Sequence, residues 1–194
     1  MDAAEALILE QGFSATSIER VIDRVGLTKG AFFHHFRSKS DLAYALVERY
    51  AALDLGNLER NMLRAEKLSR DPLQQVLIFV GLFQESAEEL TEPYPGCLFA
   101  SYLNEAQLFD ERTLGIIRTT MQEWRRRLGA KFESILRVRT PAFPVSAESL
   151  ADMMTVIFEG AFILSKTMKE AETVAGQITH YRNYIELLFG ARAA

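Results

Sequence analysis

The chain has 194 residues, 48% of them hydrophobic and 25% charged, with a formal net charge of −4. That length suffices for a sizeable core, and the overall charge disfavours a nonspecific polyanion binder. Five prolines, no low-complexity tract and no charged tail argue against disorder, while a single cysteine, Cys97, excludes an internal disulfide and suits a reducing compartment. No apolar run approaches the roughly 20 residues of a membrane span. The opening MDAAEALILEQGF lacks the basic first segment of a signal peptide, so a cytoplasmic protein without membrane contact is expected.

Helical spacing recurs from end to end with no alternating strand pattern, which predicts an all-α fold of about nine helices. The first helix runs from the start to Gln11 and stops at Gly12, a residue suited to a left-handed helix end. Ser17 caps a short second helix whose inner stripe is Ile18, Val21, Ile22 and Val25, and which ends near Gly26. Thr28 caps a third helix through about Phe36. Ser38 or Ser40 opens a fourth that reaches about Lys67, with Leu42, Leu46, Tyr50, Leu53 and Leu58 along it. SRDPLQQVL, with Pro72 in the first turn, begins a fifth helix lined by Val76, Phe79, Val80 and Phe83, and TEPYPG ends it. A sixth opens at Gly96 and Cys97. Between Asp110 and Arg139, Leu114, Ile117, Met121, Trp124, Leu128, Phe132 and Ile135 recur at steps of three and four, the mark of one long amphipathic helix. After the break RTPAFPVS, residues Leu150 to Met168 and Ala175 to Phe189 form two more helices. The former is apolar over much of its circumference and needs a second neighbour, most economically a partner subunit. The expected division is residues 1–46, a helix-turn-helix domain, and 47–194, a helical domain for ligand binding and dimerisation.

Residues 20 to 39 hold Arg20, Arg24, Lys29, Arg37 and Lys39 against Asp23 alone, a net of +4 in an acidic chain. Here two short helices joined by VGLT give the helix-turn-helix pattern, with glycine in the turn and the second helix presented outward. At 100° per residue, Phe32 and Phe36 face the core while Gly30, Ala31 and His34 fan out on the other side with Phe33 beside them. Two very small residues let the helix backbone approach base edges in a major groove about 12 Å wide. Thr28 caps this helix, and Lys29 and Lys39 bracket its outer face with phosphate contacts. Amides at the helix ends near Thr16, Ser17 and Ser38 add to them.

The stretch GFSATSIERVIDRVGLTKGAFFHHFRSKSDL resembles the DNA-binding domain of the tetracycline-repressor (TetR) family of bacterial transcription regulators. The resemblance lies in Gly12, Phe13 and Thr16, the apolar Ile18, Ile22 and Val25, then Gly26, Thr28, Lys29, Gly30, Phe32, His35, Phe36, Ser38, Lys39 and Leu42. It covers most of residues 1 to 50, and PGCLFASYLNE with FEGAFILSK is similar to a subset of the family. The resemblance implies that His35, Lys39 and Thr16 position the DNA backbone, while Lys29, Gly30, Ala31 and His34 lie against the groove. Position 33 is usually a tyrosine whose hydroxyl touches phosphate, so Phe33 inherits only a van der Waals role. The family's first helix also begins earlier, after a basic arm, whereas this sequence opens directly on the helix at Met1.

The resemblance further implies a homodimer that reads a near-palindromic duplex and releases it when a small effector enters the larger domain. Candidate effector-lining residues are Phe79, Phe83, Cys97, Tyr102, Met121, Trp124, Phe158 and Phe162, all equally suited to packing. Cys97 at a helix start, where the macrodipole favours thiolate, is a candidate sensor of electrophiles or oxidants as well as a space filler. The two apolar carboxy-terminal helices would form the dimer interface. WRRRL at 124 to 128 reads as a solvated face. Neighbouring His34 and His35 project about 100° apart and make a poor chelating pair, so no metal and no cofactor are expected. Two other classes compete: a helical interaction module without DNA binding, and an all-α enzyme with Cys97 as nucleophile and His180 as base, for which no third orienting residue is legible.

Overall fold

In a computed structural model of the protein, which describes residues 1–190, the described residues fold into helices joined by turns and loops. Residues 191–194, the close of the expected carboxy-terminal domain, lie outside the described residues. The helices are α1 (Asp2–Gln11), α2 (Ile18–Val25), α3 (Lys29–His35), α4 (Lys39–Leu68), α5 (Pro72–Glu88), α6 (Leu98–Asn104), α7 (Glu111–Leu136), α8 (Ala147–Met168) and α9 (Thr173–Phe189). The expected all-α architecture of nine helices is what the described residues form.

Local chemistry sets most boundaries. The Ser17 hydroxyl accepts from the Arg20 amide, Thr28 from Ala31, and Asp71 from Leu73 and Gln74, with Pro72 at the first helical position. Each such cap contributes about 1 kcal/mol. Gly26 ends α2 in the left-handed conformation, φ 65°, and turns the chain toward α3. Two starts differ from expectation. α8 opens at Ala147 because Ser146 caps it by accepting from the Ser149 amide, and α9 opens at Thr173 rather than Ala175. A 3₁₀ turn at Ala106–Leu108, between α6 and α7, carries no periodicity that sequence reading detects.

Contacts group the chain into two units. The first comprises Met1–Asp54 together with Pro95–Thr120, so the helix-turn-helix segment shares its unit with α6, the 3₁₀ turn and the start of α7. This grouping cuts across the sequence-based division at residue 46. Within it α1 lies against both α2 and α6, and α2 against α3. Its interior includes Leu7, Ile8, Phe13, Phe32, Leu46, Val47, Leu98, Phe99 and Tyr102. Phe13 meets Tyr102 and Phe109, whose two rings stack with centroids 4.2 Å apart, and Tyr50 meets Phe99 edge-on. Arg49 on α4 pairs with Asp2 and Glu5 of α1.

The second unit comprises Leu55–Tyr94 and the described residues from Met121 on. α9 packs on α5 and α8 around Leu77, Val80, Phe132, Leu150, Met154, Ile178 and Ile185. Burying a side chain of this size contributes roughly 1.5–3 kcal/mol. The Tyr181 hydroxyl, fully buried, donates to the Leu150 carbonyl at 2.8 Å, so its polar atom is satisfied inside the core. Arg125 pairs with Asp152, and Arg126 and Arg127 pair with Glu123, so the WRRRL cations sit in ion pairs within this unit. Among the described residues, no helix is long and apolar enough to cross a membrane.

Candidate nucleic-acid interface

The junction of α2 and α3 is compact. The Gly26 amide donates to Asp23 and Ile22 carbonyls, the Leu27 amide donates to Ile22 at 3.0 Å, and Thr28 then caps α3. Phe32, 5% exposed, anchors α3 in the interior and touches the Phe33 and Phe36 rings. On the outer side Lys29, Gly30, Phe33, His34 and His35 are exposed and Ala31 is half-buried. Phe33 leaves 45% of its surface in solvent although it is a large aromatic. A Cβ built on Gly30 meets only the Thr28 hydroxyl, at 3.9 Å, so nothing inside the protein requires a glycine there. The bareness of this face is therefore available to a partner.

Several cations of this surface are already partnered. Lys29 Nζ lies 3.0 Å from Glu19, whose carboxyl is held below its ordinary pKa chiefly by the hydrogen bond from Lys29. Arg24 reaches Glu10 at 3.1 Å, and Arg20 donates to Gln11. Glu19 thus occupies the charge that Lys29 would offer to a phosphate. Replacing it, Glu19→Gln, is expected to tighten binding to a duplex by roughly threefold to tenfold and to steepen the salt dependence by about one phosphate contact per reading head. Fluorescence anisotropy over a salt series measures both, and unchanged affinity and slope would show that Glu19 does not compete.

Two of the expected phosphate contacts are turned inward. Thr16 is 2% exposed; its hydroxyl donates to the Gly12 carbonyl at 2.8 Å and accepts from Gln11, which shapes the α1–α2 turn. Lys39 sends its ammonium to the Phe13 carbonyl at 2.6 Å and sits 4.1 Å from the centre of the Phe13 ring. Desolvation lowers its pKa, opposed by the nearby charge of Glu105. Both side chains therefore stabilise the turn instead of offering a charge or hydroxyl outward. The hydroxyls of Ser17 and Thr28 are occupied as helix caps. His34 and His35 lie edge-to-face, with centroids 5.2 Å apart.

Of the residues singled out as effector contacts, Phe79, Phe83, Trp124, Phe158 and Phe162 come together in the second unit. Phe83 lies 5.2 Å from Phe79, 5.9 Å from Trp124 and 5.5 Å from Phe158, which in turn meets Phe162. Tyr94, which sequence reading passed over, stacks on Phe162 at 4.3 Å. Met121 is half-buried in the same unit. Cys97 and Tyr102 belong to the first unit. Cys97 is half-buried at the amino-terminal cap of α6. Tyr102 is fully buried with its hydroxyl donating to the Ala43 carbonyl at 3.1 Å, and burial pushes that hydroxyl's pKa up. Sealed and satisfied in this way, Tyr102 packs in the core of the first unit, apart from the aromatic group of the second; the aromatic spacing that suggested it is the same for either role.

Residues 1–46 match the family model described as bacterial regulatory proteins, tetR family. The transcriptional regulator AcuR of Cereibacter sphaeroides is 23% identical over 159 residues, covering 82% of this chain and 71% of AcuR. The HTH-type transcriptional repressor NemR of Escherichia coli is 22% identical over 187 residues, covering 93% and 89%. Among solved structures, a TetR-family regulator from Agrobacterium tumefaciens superposes with a TM-score of 0.76 at 24% identity, over 97% of this chain and 95% of that one. The reduced form of E. coli NemR superposes with a TM-score of 0.73 at 18% identity, over 100% and 96%.

Proposed function

We propose that the chain is a DNA-binding transcriptional regulator of the tetR family and not an enzyme, and that it acts as a dimeric cytoplasmic repressor. It grips a near-palindromic duplex through α3 and lets go when a small effector binds. The observation that carries this reading is the outer face of α3: small at Gly30 and Ala31, flanked by exposed Lys29, Phe33, His34 and His35, and backed by buried Phe32. Such a face admits close approach of the helix backbone to base edges, and the cations can serve phosphates.

Dimer formation is supported by α8 and α9. Val156 and Ile163, two turns apart on α8, are 68% and 66% exposed, Met168 is 59% exposed, and Leu187 on α9 is 80% exposed. Aliphatic side chains in a row at helical spacing are what an isologous helix-pair interface uses. Residues 47–194 are then the ligand-binding and dimerisation domain, and two reading helices about 34–36 Å apart would address successive major grooves. For the effector, the Phe79, Phe83, Trp124, Phe158 and Phe162 cluster favours a small apolar or aromatic molecule. Cys97 favours a thiol-reactive electrophile as the alternative trigger.

Selection of duplexes from a random library by the purified chain tests the reading. The expected outcome is an enriched, two-fold symmetric sequence whose affinity falls about a thousandfold between roughly 50 and 200 mM salt, as for some six phosphate contacts. Enrichment of nothing, or of asymmetric sites bound by single chains, would overturn it. Release of that duplex by a thiol-reactive compound from wild type but not from Cys97→Ser would assign the trigger to the cysteine, and equal release from both would leave the aromatic cluster.

A further inference from the structure

The turn between α1 and α2 is held by opposite charges on its two kinds of backbone group. Glu105, at the corner between α6 and the 3₁₀ turn, accepts the Phe13 amide at 2.6 Å and the Ser14 amide at 3.0 Å, one on each carboxylate oxygen. Lys39, at the start of α4, donates to the Phe13 carbonyl at 2.6 Å and to Ser14 at 3.5 Å. The carboxylate thus takes two N–H groups of the turn after α1, and the ammonium takes the carbonyls of the same two residues. Three residues farther on Ser17 caps α2, and α3 lies on α2.

The clasp is built into the sequence at Gly12 as well. This residue has φ +86°, a backbone conformation that favours glycine, and a Cβ on it would lie 2.9 Å from Glu105 Oε1 and push the carboxylate aside. The Ser14 hydroxyl, both amides and Lys39 hold the Glu105 carboxyl below its ordinary pKa against the opposing effect of burial. Phe13 itself packs against the stacked pair Tyr102 and Phe109, which flank Glu105 in sequence.

We propose that Glu105 is a positioning residue for DNA binding: from the α6 corner its carboxylate fixes the α1–α2 turn and so the angle at which α2 and α3 leave it. The inference rests on the DNA-binding reading. It assigns a role to a residue 66 or more positions beyond every DNA contact expected on the reading head. A reading head freed from this clasp keeps its helices but samples several orientations, and only the fraction in the binding orientation contributes to affinity.

The test uses the full chain and the duplex that the wild type selects. Glu105→Gln keeps the shape, removes the charge and replaces one acceptor by a donor facing an amide. Expected results are about tenfold faster hydrogen exchange at Phe13 and Ser14 and about tenfold weaker duplex binding, with helical content unchanged. Ile117→Val, a trim of a buried residue in the same unit away from the turn, controls for general loosening and is expected to bind within about twofold of wild type. Wild-type exchange or wild-type affinity in Glu105→Gln would overturn the proposal, as would an equal loss in Ile117→Val at matched melting temperature. Should Glu105→Gln not fold, Glu105→Asp, which keeps the charge but draws it back by one methylene, is read by the same two criteria. A wild type that selects no duplex overturns the DNA-binding reading and this proposal together, whereas a selected duplex bound equally by the variants overturns the proposal alone.

Discussion

Gly30→Glu is expected to abolish sequence-specific DNA binding, by at least about a hundredfold, while leaving the melting temperature unchanged or slightly higher. The two halves of this expectation have separate physical causes. Within the protein the new Cβ meets only the Thr28 hydroxyl at 3.9 Å, so nothing is displaced. Exchange of a helical glycine for a side-chain residue favours the helix by about 0.5–1 kcal/mol, and a carboxylate in the first turn of α3, which holds no acidic residue, complements the positive end of the helix dipole. Toward DNA, the same side chain adds bulk and negative charge on the face that must settle between phosphate ridges. Thermal melting by circular dichroism and anisotropy with the selected duplex measure the two halves. A variant that still binds within about tenfold would remove α3 from the interface, and one that melts well below wild type would show that Gly30 serves the fold.

The second large effect is expected at α8. Ile163 is 66% exposed and lies seven residues from Val156, itself 68% exposed, on the same side of the helix. Ile163→Arg places a charge in the centre of the proposed subunit contact, where burying it without a partner costs several kcal/mol. Sedimentation velocity should show a monomer of about half the wild-type mass, and duplex affinity should fall by about 10²–10⁴, the avidity lost when one reading head no longer tethers the other. Helical content should not change, because the substituted side chain already faces solvent within the single chain. A variant that sediments with wild type would place the contact elsewhere.

Much of this molecule is legible one helix at a time. Caps at Ser17, Thr28 and Asp71, the stop at Gly26 and the three-and-four spacing along α7 are local signals, and they gave the helices nearly to the residue. The start of α8 is local as well, since Ser146, the last residue of the break RTPAFPVS, is an ordinary capping residue, whereas α9 opens after Glu172 without a side-chain cap to mark it. Other features depend on partners far along the chain. Lys39 looks like a phosphate ligand in a linear reading because Phe13, whose carbonyl claims it, lies 26 residues away. The residue separation of 91 and 92 between Glu105 and the two amides it holds leaves no periodicity to read. The aromatic stripe illustrates a different limit, since identical spacing serves Tyr102 in one unit and Phe83 in the other.

Residues 1–46 form a contiguous stretch of recognisable sequence, yet the unit they fold in also contains Pro95–Thr120. A fragment cut after α3, or even at Asp54, would leave Phe13 without Tyr102 and Phe109, Tyr50 without Phe99, and the Phe13 and Ser14 amides without their acceptor. The head is consequently not a portable cassette. Grafting its specificity onto a related regulator calls for transplanting two stretches of polypeptide together, and a change at Phe13 or Gly12 invites a compensating change some ninety positions downstream.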